Sequence, residues 1–498
     1  MNSTQTKHQT VIIIGAGFGG LSAAAFLAHA GFKVTVLEKN ESFGGRASLW
    51  KSKGFTFDMG PSWYLMPDAF ERFFGAFNKT SSDYYKLVKL DPLYRIFFDK
   101  DDIIDIQADL NTNLKLFEEL QAEGALKLQR YLKRAERLYT VAMKEFLYRD
   151  YRSIFSFLKP GIIKGGLRMG NFFSPLDKAV SKYFLCDKAK KILEYSMVFL
   201  GSDPKNIPSL YCLMSYVDLK LGVWYPEGGI GEIPKAIYDL ARSLDVEFHF
   251  NEEVRKIEVD RKEAKQVLTD LESYEADIVL VNADYAYAEM NLLEKRYQTY
   301  QAEYWEKRTI APSTFLIYLG LNKKISNLTH HNLVLLDWDE HFASIFKKPN
   351  WPENPSYYVC VPSKIDSSVA PPDDENLFIL VPVASELTDT DEIREKYSAK
   401  ILNHLESLIG ESICDSIIVK RIFSQQDFSD RYNAYKGTAL GLSHTLKQTA
   451  LWRPSHRSKK VTNLYYTGQY THPGIGVPMT LISSQVVSKE IIKRYANF

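Results

Sequence analysis

The sequence predicts an α/β fold, and three features near the amino terminus lead to that prediction. A β-branched run from Val11 to Ile14 is typical of a buried parallel strand, and it ends at glycines. The Ala- and Leu-rich stretch Leu21 to Ala30 predicts a helix, which Gly31 is placed to end. A second strand, Val34 to Leu37, follows and closes at Glu38. These elements predict a Rossmann-like βαβ unit.

The rest of the chain alternates between helical and strand-like patterns. Residues 67–221 carry mostly helical spacing, and further helices are predicted from Ile233 to Ser243, from Asp391 onward, and from about Met479 to Tyr495. Strands are predicted at Glu247–Phe250, Val254–Val259, Asp277–Val281, Thr314–Leu319, Tyr357–Val361, Phe378–Val383 and Asn463–Thr467. Because the strands of residues 310–384 lack helical crossovers, they predict a second, mostly antiparallel sheet.

The length of 498 residues is too great for a single hydrophobic core, so several structural units are expected. We predict a discontinuous α/β domain, a discontinuous α+β domain and a helical segment. The α/β domain comprises residues 1–66, 222–290 and 455–498, and the α+β domain comprises 67–150, 185–221 and 291–454. The helical segment is 151–184.

The composition excludes several classes of protein. Lysine plus arginine (62) nearly balances aspartate plus glutamate (61), so no nucleic-acid partner is expected. The four cysteines are scattered without metal-ligand spacing, so neither a disulfide framework nor a metal site is expected. The polar start of the chain and the lack of a long apolar run predict a cytoplasmic protein.

The strongest motif is the glycine-rich turn between the first strand and the first helix. It reads Gly15-Ala16-Gly17-Phe18-Gly19-Gly20 and fits the dinucleotide-binding pattern. The glycines allow a tight turn, close approach of the backbone to a pyrophosphate, and packing of helix on strand. Glu38 then ends the second strand, where such folds place the acid that binds ribose hydroxyls.

A second glycine pair points to FAD rather than NAD. Gly44, Gly45 and Arg46 follow shortly after Glu38 and Lys39, a pattern that resembles the large flavin oxidoreductases. The glycines let the chain approach the cofactor, and the guanidinium can neutralise diphosphate charge.

Strand, glycine-rich loop and helix recur close to the end of the chain. Residues 466–479 read Tyr-Thr-Gly-Gln-Tyr-Thr-His-Pro-Gly-Ile-Gly-Val-Pro-Met. Such a helix start exposes backbone N–H groups, which suit the edge of a flavin ring that becomes negative on reduction.

Together the motifs resemble those of the bacterial-type carotenoid desaturases, the phytoene desaturase family, in its flavobacterial form. The matching segments occur in the family's order: Gly15–Gly20, Gly44–Arg46, Phe57–Ser62, Tyr225–Gly229, Asn282–Asp284 and Thr471–Pro478. The resemblance implies an amine-oxidase-like fold, non-covalently bound FAD and an apolar tunnel for a lipophilic carotenoid. It also implies cofactor contacts at Gly60, Pro61, Ser62, Val254, Asn282, Ala283, Asp284, Gly468, Gly476, Val477, Pro478 and Met479.

The resemblance further implies a reaction that turns a carbon–carbon single bond beside a polyene into a double bond. Overall likeness favours terminal 3,4-desaturation of a 1-hydroxylated carotenoid. Multi-step desaturation of phytoene and flavin-dependent isomerisation of a polyene remain alternatives. Quinone and oxygen both remain open as the electron acceptor.

The proton acceptor has three candidates. Asp150 and Arg152 are similar to an acid and an arginine that the family places near the flavin, although a solvated pair of charges at a helix end is the explanation that we favour for them. His472 lies in the predicted flavin loop and is either a base or a loop residue bonded to backbone.

The stretch from Arg152 to Phe184 combines basic and apolar residues, which is the composition of an interfacial membrane segment. We therefore expect a peripheral protein on the inner membrane. A helical lid whose apolar face packs inward is the alternative.

Three other functions agree less well with the sequence than the desaturase does. Amine and protoporphyrinogen oxidases would require an aromatic cage or basic groups that the sequence does not place. A non-enzymatic lipid-binding relative is disfavoured because Glu38 and the glycine loops are intact.

Overall fold

The computed structural model describes residues 9–149, 174–445, 447–449 and 452–496. Its strands are β1 (Thr10–Ile14), β2 (Lys33–Glu38), β3 (Leu49–Ser52), β4 (Phe55–Asp58), β5 (Leu87–Lys89), β6 (Tyr94–Asp99), β7 (Asp102–Ile106), β8 (Trp224–Pro226), β9 (Glu247–Phe250), β10 (Val254–Asp260), β11 (Glu263–Thr269), β12 (Ser273–Glu275), β13 (Ile278–Val281), β14 (Ser313–Leu321), β15 (His331–Val334), β16 (Tyr357–Cys360), β17 (Glu375–Val383), β18 (Ile417–Phe423) and β19 (Leu464–Tyr466). Its α-helices are Phe18–His29, Pro67–Gly75, Leu110–Leu120, Gly124–Val141, Leu176–Val180, Asp187–Glu194, Leu213–Tyr216, Glu232–Arg242, Tyr285–Tyr287, Ala302–Glu306, Trp338–Phe346, Asp391–Ile409, Gln425–Tyr432 and Val477–Tyr495.

A five-stranded parallel sheet organises the first structural unit. Its order is β19–β13–β1–β2–β9, and every neighbouring pair is parallel. The helices Phe18–His29, Glu232–Arg242 and Val477–Tyr495 pack on one face, and the antiparallel sheet β10–β11–β12 covers the other. Because both faces are covered, β1 and β13 read as unbroken apolar runs, as the sequence predicted.

A seven-stranded sheet organises the second unit, in the order β18–β14–β17–β16–β15–β6–β7. All its pairs are antiparallel except β15 with β6. One face packs on the helix Asp391–Ile409, and alternate residues on the other face turn toward a large cavity. The predicted antiparallel sheet is therefore confirmed, but it extends beyond residues 310–384.

The prediction that residues 67–221 are mostly helical was wrong for part of that range. Strands β5, β6 and β7 interrupt it, because β6 pairs with β15 far along the chain and local periodicity does not reveal such pairing. Within the same range, Glu123 adopts a left-handed conformation with φ of 59° between the helices Leu110–Leu120 and Gly124–Val141.

The strands of the parallel sheet all fall within the ranges 1–66, 222–290 and 455–498 assigned to the α/β domain, and the domain division itself stays a prediction. Of the predicted segment 151–184, residues 151–173 lie outside the described residues. Within the described ranges, no helix combines the length and apolar character needed to cross a bilayer.

Candidate active site

The first glycine motif forms the turn from β1 into the helix Phe18–His29. Gly15 has a φ of +99°, and a methyl group on Gly20 would overlap the Gly15 carbonyl oxygen. The Glu38 carboxylate, buried at the end of β2, accepts a hydrogen bond from the Ala16 N–H at 2.8 Å. Strand ends, turn and acid thus meet in one place, as the motif predicted.

The second glycine pair lies against the first. The Gly44 N–H donates to the Ala16 carbonyl at 2.9 Å, and a methyl group on Gly45 would lie 3.2 Å from the Gly17 Cα. Next to it, Arg46 lines the cavity, and its buried guanidinium nitrogens Nε and Nη2 have no hydrogen-bond partner in the part of the chain that the structure describes. A buried unpaired cation costs free energy, so this site fits an anionic group such as the FAD diphosphate.

Asn282 joins three of the predicted segments. Its amide Nδ2 donates to the Gly15 carbonyl at 3.2 Å, and a methyl group on Gly19 would overlap its Oδ1. The same Oδ1 lies 3.4 Å from the position that a methyl group on Gly468 would occupy. A side chain at Gly19 would therefore collide with the Asn282 amide, and at Gly468 the φ of +106° disfavours residues other than glycine.

The carboxy-terminal loop ends in a helix whose first turn opens into the cavity. Gly476 has a φ of +118° and precedes the helix Val477–Tyr495, and Gly476, Val477, Pro478 and Met479 line the cavity. The first N–H groups of a helix have no partner within it and carry partial positive charge. They provide donors for the electron-rich edge of a flavin ring.

Other predicted contacts divide into cavity walls and structural supports. Lys39 and Val254 line the cavity, and the Lys39 ammonium also donates to the Asp430 carbonyl at 2.8 Å. Asp284 lines it too, but its carboxylate accepts from the Tyr287 N–H and the Tyr470 hydroxyl. The remaining predicted contacts that line the cavity are Phe18, Gly60, Pro61, Ser62 and Ala283. Ala16 and Gly20 lie behind the turn and are absent from the wall.

Asp58 explains why two of the quoted motifs occur together. Its buried carboxylate accepts from the backbone N–H groups of Ile230 at 3.0 Å and Gly231 at 2.9 Å, at the start of the helix Glu232–Arg242. Burial raises the pKa of this carboxyl to about 6. The bonds hold the Met59–Gly60 segment against the turn at 226–231.

One continuous cavity of about 920 Å³ connects all these residues with the second structural unit. Its second half is lined by apolar side chains from the seven-stranded sheet and the helices above it. They include Leu65, Leu138, Leu213, Met214, Leu316, Leu333, Leu335, Trp338, Phe342 and Leu380. Such a wall suits a long hydrocarbon ligand.

A small group of polar side chains interrupts this apolar wall. The Ser62 hydroxyl lies 2.9 Å from the Tyr358 hydroxyl, which in turn lies 2.6 Å from Nδ1 of His331. Trp63 stacks on the His331 ring with centroids 4.1 Å apart and also contacts Tyr195, which lines the cavity.

The loop that carries the predicted catalytic His472 is held by a buried arginine and a buried histidine. The Arg453 guanidinium donates to the carbonyls of Gln469, Tyr470 and Thr471. The His444 Nε2 accepts from the Ile475 N–H at 3.1 Å. These contacts fix the loop ahead of the helix Val477–Tyr495.

The structure tests the position of one of the three catalytic candidates. His472 lines the cavity, and its Nε2 lies 3.2 Å from both the Phe146 and Leu147 carbonyls, so this nitrogen carries the proton. Burial lowers its pKa to about 4, which makes it a weak base. Asp150 and Arg152 lie outside the described residues, and their roles stay predictions.

His330, His331 and Cys360 form a buried cluster in which one nitrogen or sulfur atom of each lies within 4.8 Å of the others. Cys360 and His331 face each other across β16 and β15. Burial raises the pKa of the Cys360 thiol well above its ordinary value and keeps it protonated. The expectation that the protein has no metal site stays a prediction.

Sequence patterns did not identify several residues of the site. Tyr195, His331, Tyr358, His444 and Arg453 belong to no short motif, because long-range packing brings each of them to the site. Tyr195, Tyr358 and His444 line the cavity, whereas the buried His331 and Arg453 lie behind its wall. An isolated buried arginine or histidine gives no periodic signal, and the apolar tunnel was expected from the family resemblance.

Comparison with known proteins gives a consistent picture. The sequence model of flavin containing amine oxidoreductases matches residues 18–492. A carotenoid 3,4-desaturase of Haloarcula japonica is 46% identical over 98% of this chain and 99% of its own length. A zeta-carotene-forming phytoene desaturase of Myxococcus xanthus is 32% identical over 98% and 95%. An oxidoreductase structure from Methanosarcina mazei aligns with a TM-score of 0.62 at 17% identity, over 96% of this chain and all of its own, and so supports the fold alone.

Proposed function

Because the chain belongs to the flavin containing amine oxidoreductases and, among them, to the carotenoid desaturases, we propose that it is an FAD-dependent enzyme that introduces double bonds into a carotenoid. The observation that carries the proposal is the continuity of the cavity. Glycine turns, Glu38 and the unpaired Arg46 guanidinium line one half, and apolar side chains line the other. A cofactor and a hydrocarbon chain would meet where the halves join.

Different residues would bind different parts of the cofactor. Arg46 would bind the diphosphate, Glu38 the ribose, and the first turn of the helix Val477–Tyr495 the flavin edge. Bound FAD supplies the oxidation, because it accepts a hydride from carbon. The apolar walls exclude water and hold the polyene in one orientation.

The bond that is oxidised is the finer part of the proposal. The 3,4-desaturase of Haloarcula japonica supports terminal 3,4-desaturation, and a 1-hydroxylated carotenoid is our preferred substrate. The phytoene desaturase of Myxococcus xanthus supports the alternative of successive desaturations that begin with phytoene.

The test uses FAD-loaded protein and liposomes that contain either phytoene or a 1-hydroxylated acyclic carotenoid. We expect that only the hydroxylated substrate loses two hydrogens and that its absorption spectrum shifts to the red. Mass spectrometry measures the first change and visible absorption spectroscopy the second. A ladder of products from phytoene would instead favour the multi-step alternative.

A control with chemically reduced flavin separates desaturation from isomerisation. Desaturation requires oxidised flavin and therefore stops under these conditions. Products of unchanged mass that form only with reduced flavin would contradict the desaturase and favour an isomerase.

We also propose that the enzyme works as a peripheral protein on the inner membrane, in contact with the carotenoid in the bilayer and with quinone or oxygen as electron acceptor. The basic and apolar composition of residues 151–184 supports this attachment, as does Leu185, which directly follows the segment and is 85% exposed.

Charge reversal tests the attachment. Lys159→Glu, Lys164→Glu and Arg168→Glu together should release the protein from anionic liposomes in a co-sedimentation assay, because about 1 kcal/mol of attraction is lost per basic residue. Arg261, whose side chain is 92% exposed in the turn between β10 and β11, provides the control Arg261→Glu. Unchanged sedimentation of the triple variant would exclude this segment as the attachment site.

A further inference from the structure

The proposed reaction removes a proton as well as a hydride, and the described cavity wall offers few acceptors. The carboxylates that line it within the described ranges, Glu38, Glu252, Glu253 and Asp284, all belong to the cofactor half. In the apolar half, both ring nitrogens of His341 are bonded, since Nδ1 accepts from the Ser356 N–H and Nε2 lies 2.8 Å from the Pro382 carbonyl.

His444 is occupied in the same way. Its Nε2 accepts from the Ile475 N–H, so its Nδ1 carries the proton that it shares with the Tyr211 hydroxyl at 2.6 Å. Burial, with Arg453 nearby, keeps the pKa of His444 well below its ordinary value. The ring therefore serves to hold the loop and is a poor proton acceptor.

A buried carboxylate lies one residue behind the wall. Asp218 is 3% exposed, and its Oδ2 accepts from the Tyr94 hydroxyl at 2.7 Å. The Tyr195 ring packs on the Tyr94 ring with centroids 5.0 Å apart, which brings the Tyr195 hydroxyl beside this carboxylate, where it acts to lower the carboxyl pKa. The Tyr195 side chain also lines the cavity. Tyr195 thus connects the apolar half of the cavity to a carboxylate that is shielded from solvent.

Two further features set Asp218 apart from a structural acid. It lies in a π-helical turn, Val217–Leu221, and such turns are frequent at functional sites. Its Oδ1 is buried and has no hydrogen-bond partner among the described residues, so the carboxylate keeps a lone pair available for a proton. A purely structural carboxylate would normally have both oxygens bonded.

We propose that Tyr195 and Asp218 form the proton-accepting pair of this enzyme, with the Tyr195 oxygen as the group that touches the substrate and Asp218 as the acceptor behind it. The pair rests on the proposed desaturase function. Trp63 packs against both Tyr94 and Tyr195 and holds the phenol at the wall.

The transfer balances in atoms and electrons. The carbon–hydrogen bond of the substrate breaks, its proton forms a bond to the Tyr195 oxygen, and the Tyr195 proton passes to the Asp218 carboxylate. The electron pair of the broken bond becomes the new π bond, while the neighbouring carbon loses a hydride to oxidised FAD, the oxidant of the reaction.

The surroundings of Asp218 place its titration in a useful range. Burial raises the pKa of the Asp218 carboxyl to about 7. The titratable groups that face it are Tyr94 on β6 and Tyr195, whose own pKa values burial holds well above 10, so both stay neutral donors. The ionised, accepting form of Asp218 therefore increases as the pH rises through about 7.

The kinetic test compares two matched tyrosines by anaerobic stopped-flow measurement of flavin bleaching with carotenoid. Tyr195→Phe should slow the bleaching by about 100-fold, the usual effect of losing a general base. Tyr94→Phe removes the Tyr94 hydrogen bond to the same carboxylate, at a residue that does not line the cavity. It should keep the maximal rate and move the pH midpoint upward.

Asp218→Asn keeps the shape of the side chain and removes the titration. Wild-type enzyme should show a rate that rises through a midpoint near pH 7, and the variant a slow rate without that midpoint. Infrared titration of the oxidised flavoprotein without substrate should show a protonated-carboxyl band with the same midpoint, absent in Asp218→Asn. If that variant does not fold, Tyr195→Phe still tests the pair with Asp218 in place.

The outcomes separate the two levels of the proposal. If a carotenoid bleaches the wild-type flavin, and Tyr195→Phe and Asp218→Asn show the same rate and pH profile, the proposed proton-accepting pair is wrong but the desaturase function stands. A wild-type flavin that no carotenoid bleaches contradicts the desaturase function, and the pair falls with it.

Discussion

The two halves of the cavity are lined by different kinds of groups. In the cofactor half, backbone groups and glycines from four short motifs surround the space, and few side chains decide its shape. In the apolar half, side chains from β14, β15, β16 and β17 and from separate helices form the wall. FAD binding requires a fixed backbone geometry, whereas a hydrocarbon chain can bind to any smooth apolar surface of suitable size. The halves should therefore respond differently to substitution.

The largest effect is expected where a side chain would replace backbone space. In Gly20→Val the added carbons collide with the Gly15 carbonyl, so the turn cannot form and bound flavin should fall below about a tenth of the wild-type content. The ratio of flavin to protein absorbance measures this. Gly75→Ala, where a methyl group meets no atom within 4 Å, is the control and should keep its flavin.

A smaller loss is expected when only the cation is removed. Arg46→Ala takes away the charged donor but leaves the turn intact, so the Kd for FAD should rise roughly 10- to 100-fold, the value of about 1.5–3 kcal/mol for hydrogen bonds to a charged group. Fluorescence titration of apoprotein with FAD measures it. Arg261→Ala should leave the Kd unchanged. Equal affinity in Arg46→Ala would exclude the diphosphate contact.

Neighbouring residues of β17 sharpen the comparison, since Ile379 faces the helix side and Leu380 lines the cavity. Ile379→Ala should lower the free energy of unfolding by about 2–5 kcal/mol and leave KM unchanged. Leu380→Ala should cost less stability and raise KM by about tenfold, because about 1.5 kcal/mol of apolar contact is lost. Denaturant unfolding and steady-state kinetics measure both, and the reverse pattern would contradict the assigned faces.

The last effect appears only over a limited pH range and concerns Asp58, which fixes the turn beside the cofactor half. Its pKa is about 6 in the folded protein and 3.8 when unperturbed, so the folded state binds the proton more tightly. The free energy of unfolding should therefore fall as the pH rises from about 4 to about 6, by up to about 3 kcal/mol. Asp58→Asn should remove this part of the pH dependence. An unchanged profile in the variant would mean that Asp58 does not titrate in this range.

The same contrast explains what the sequence could predict. Gly15, Gly17, Glu38, Arg46 and the 468–479 loop follow from contiguous motifs, since backbone geometry leaves a local pattern in the chain. The strands of the parallel sheet could also be predicted from the sequence, because burial on both faces produces unbroken apolar runs.

The apolar half left no comparable pattern. Strands β6 and β7 were predicted to be helical because their place in the seven-stranded sheet depends on pairing with β15, more than two hundred residues away. Tyr195, Tyr358 and Asp218 are far apart in the sequence, and only the tertiary fold brings them to the same part of the molecule. The candidate base His472 was found by its motif, whereas the carboxylate behind Tyr195 required the packed structure.

The most direct test of the account is an anaerobic mixing experiment with purified, FAD-loaded enzyme and one equivalent of a 1-hydroxylated carotenoid in liposomes. The account predicts that the oxidised-flavin absorbance disappears as the polyene spectrum shifts to the red, with one flavin reduced for each double bond formed. A carotenoid that binds and changes its spectrum while the flavin stays oxidised would contradict a cavity in which cofactor and polyene meet.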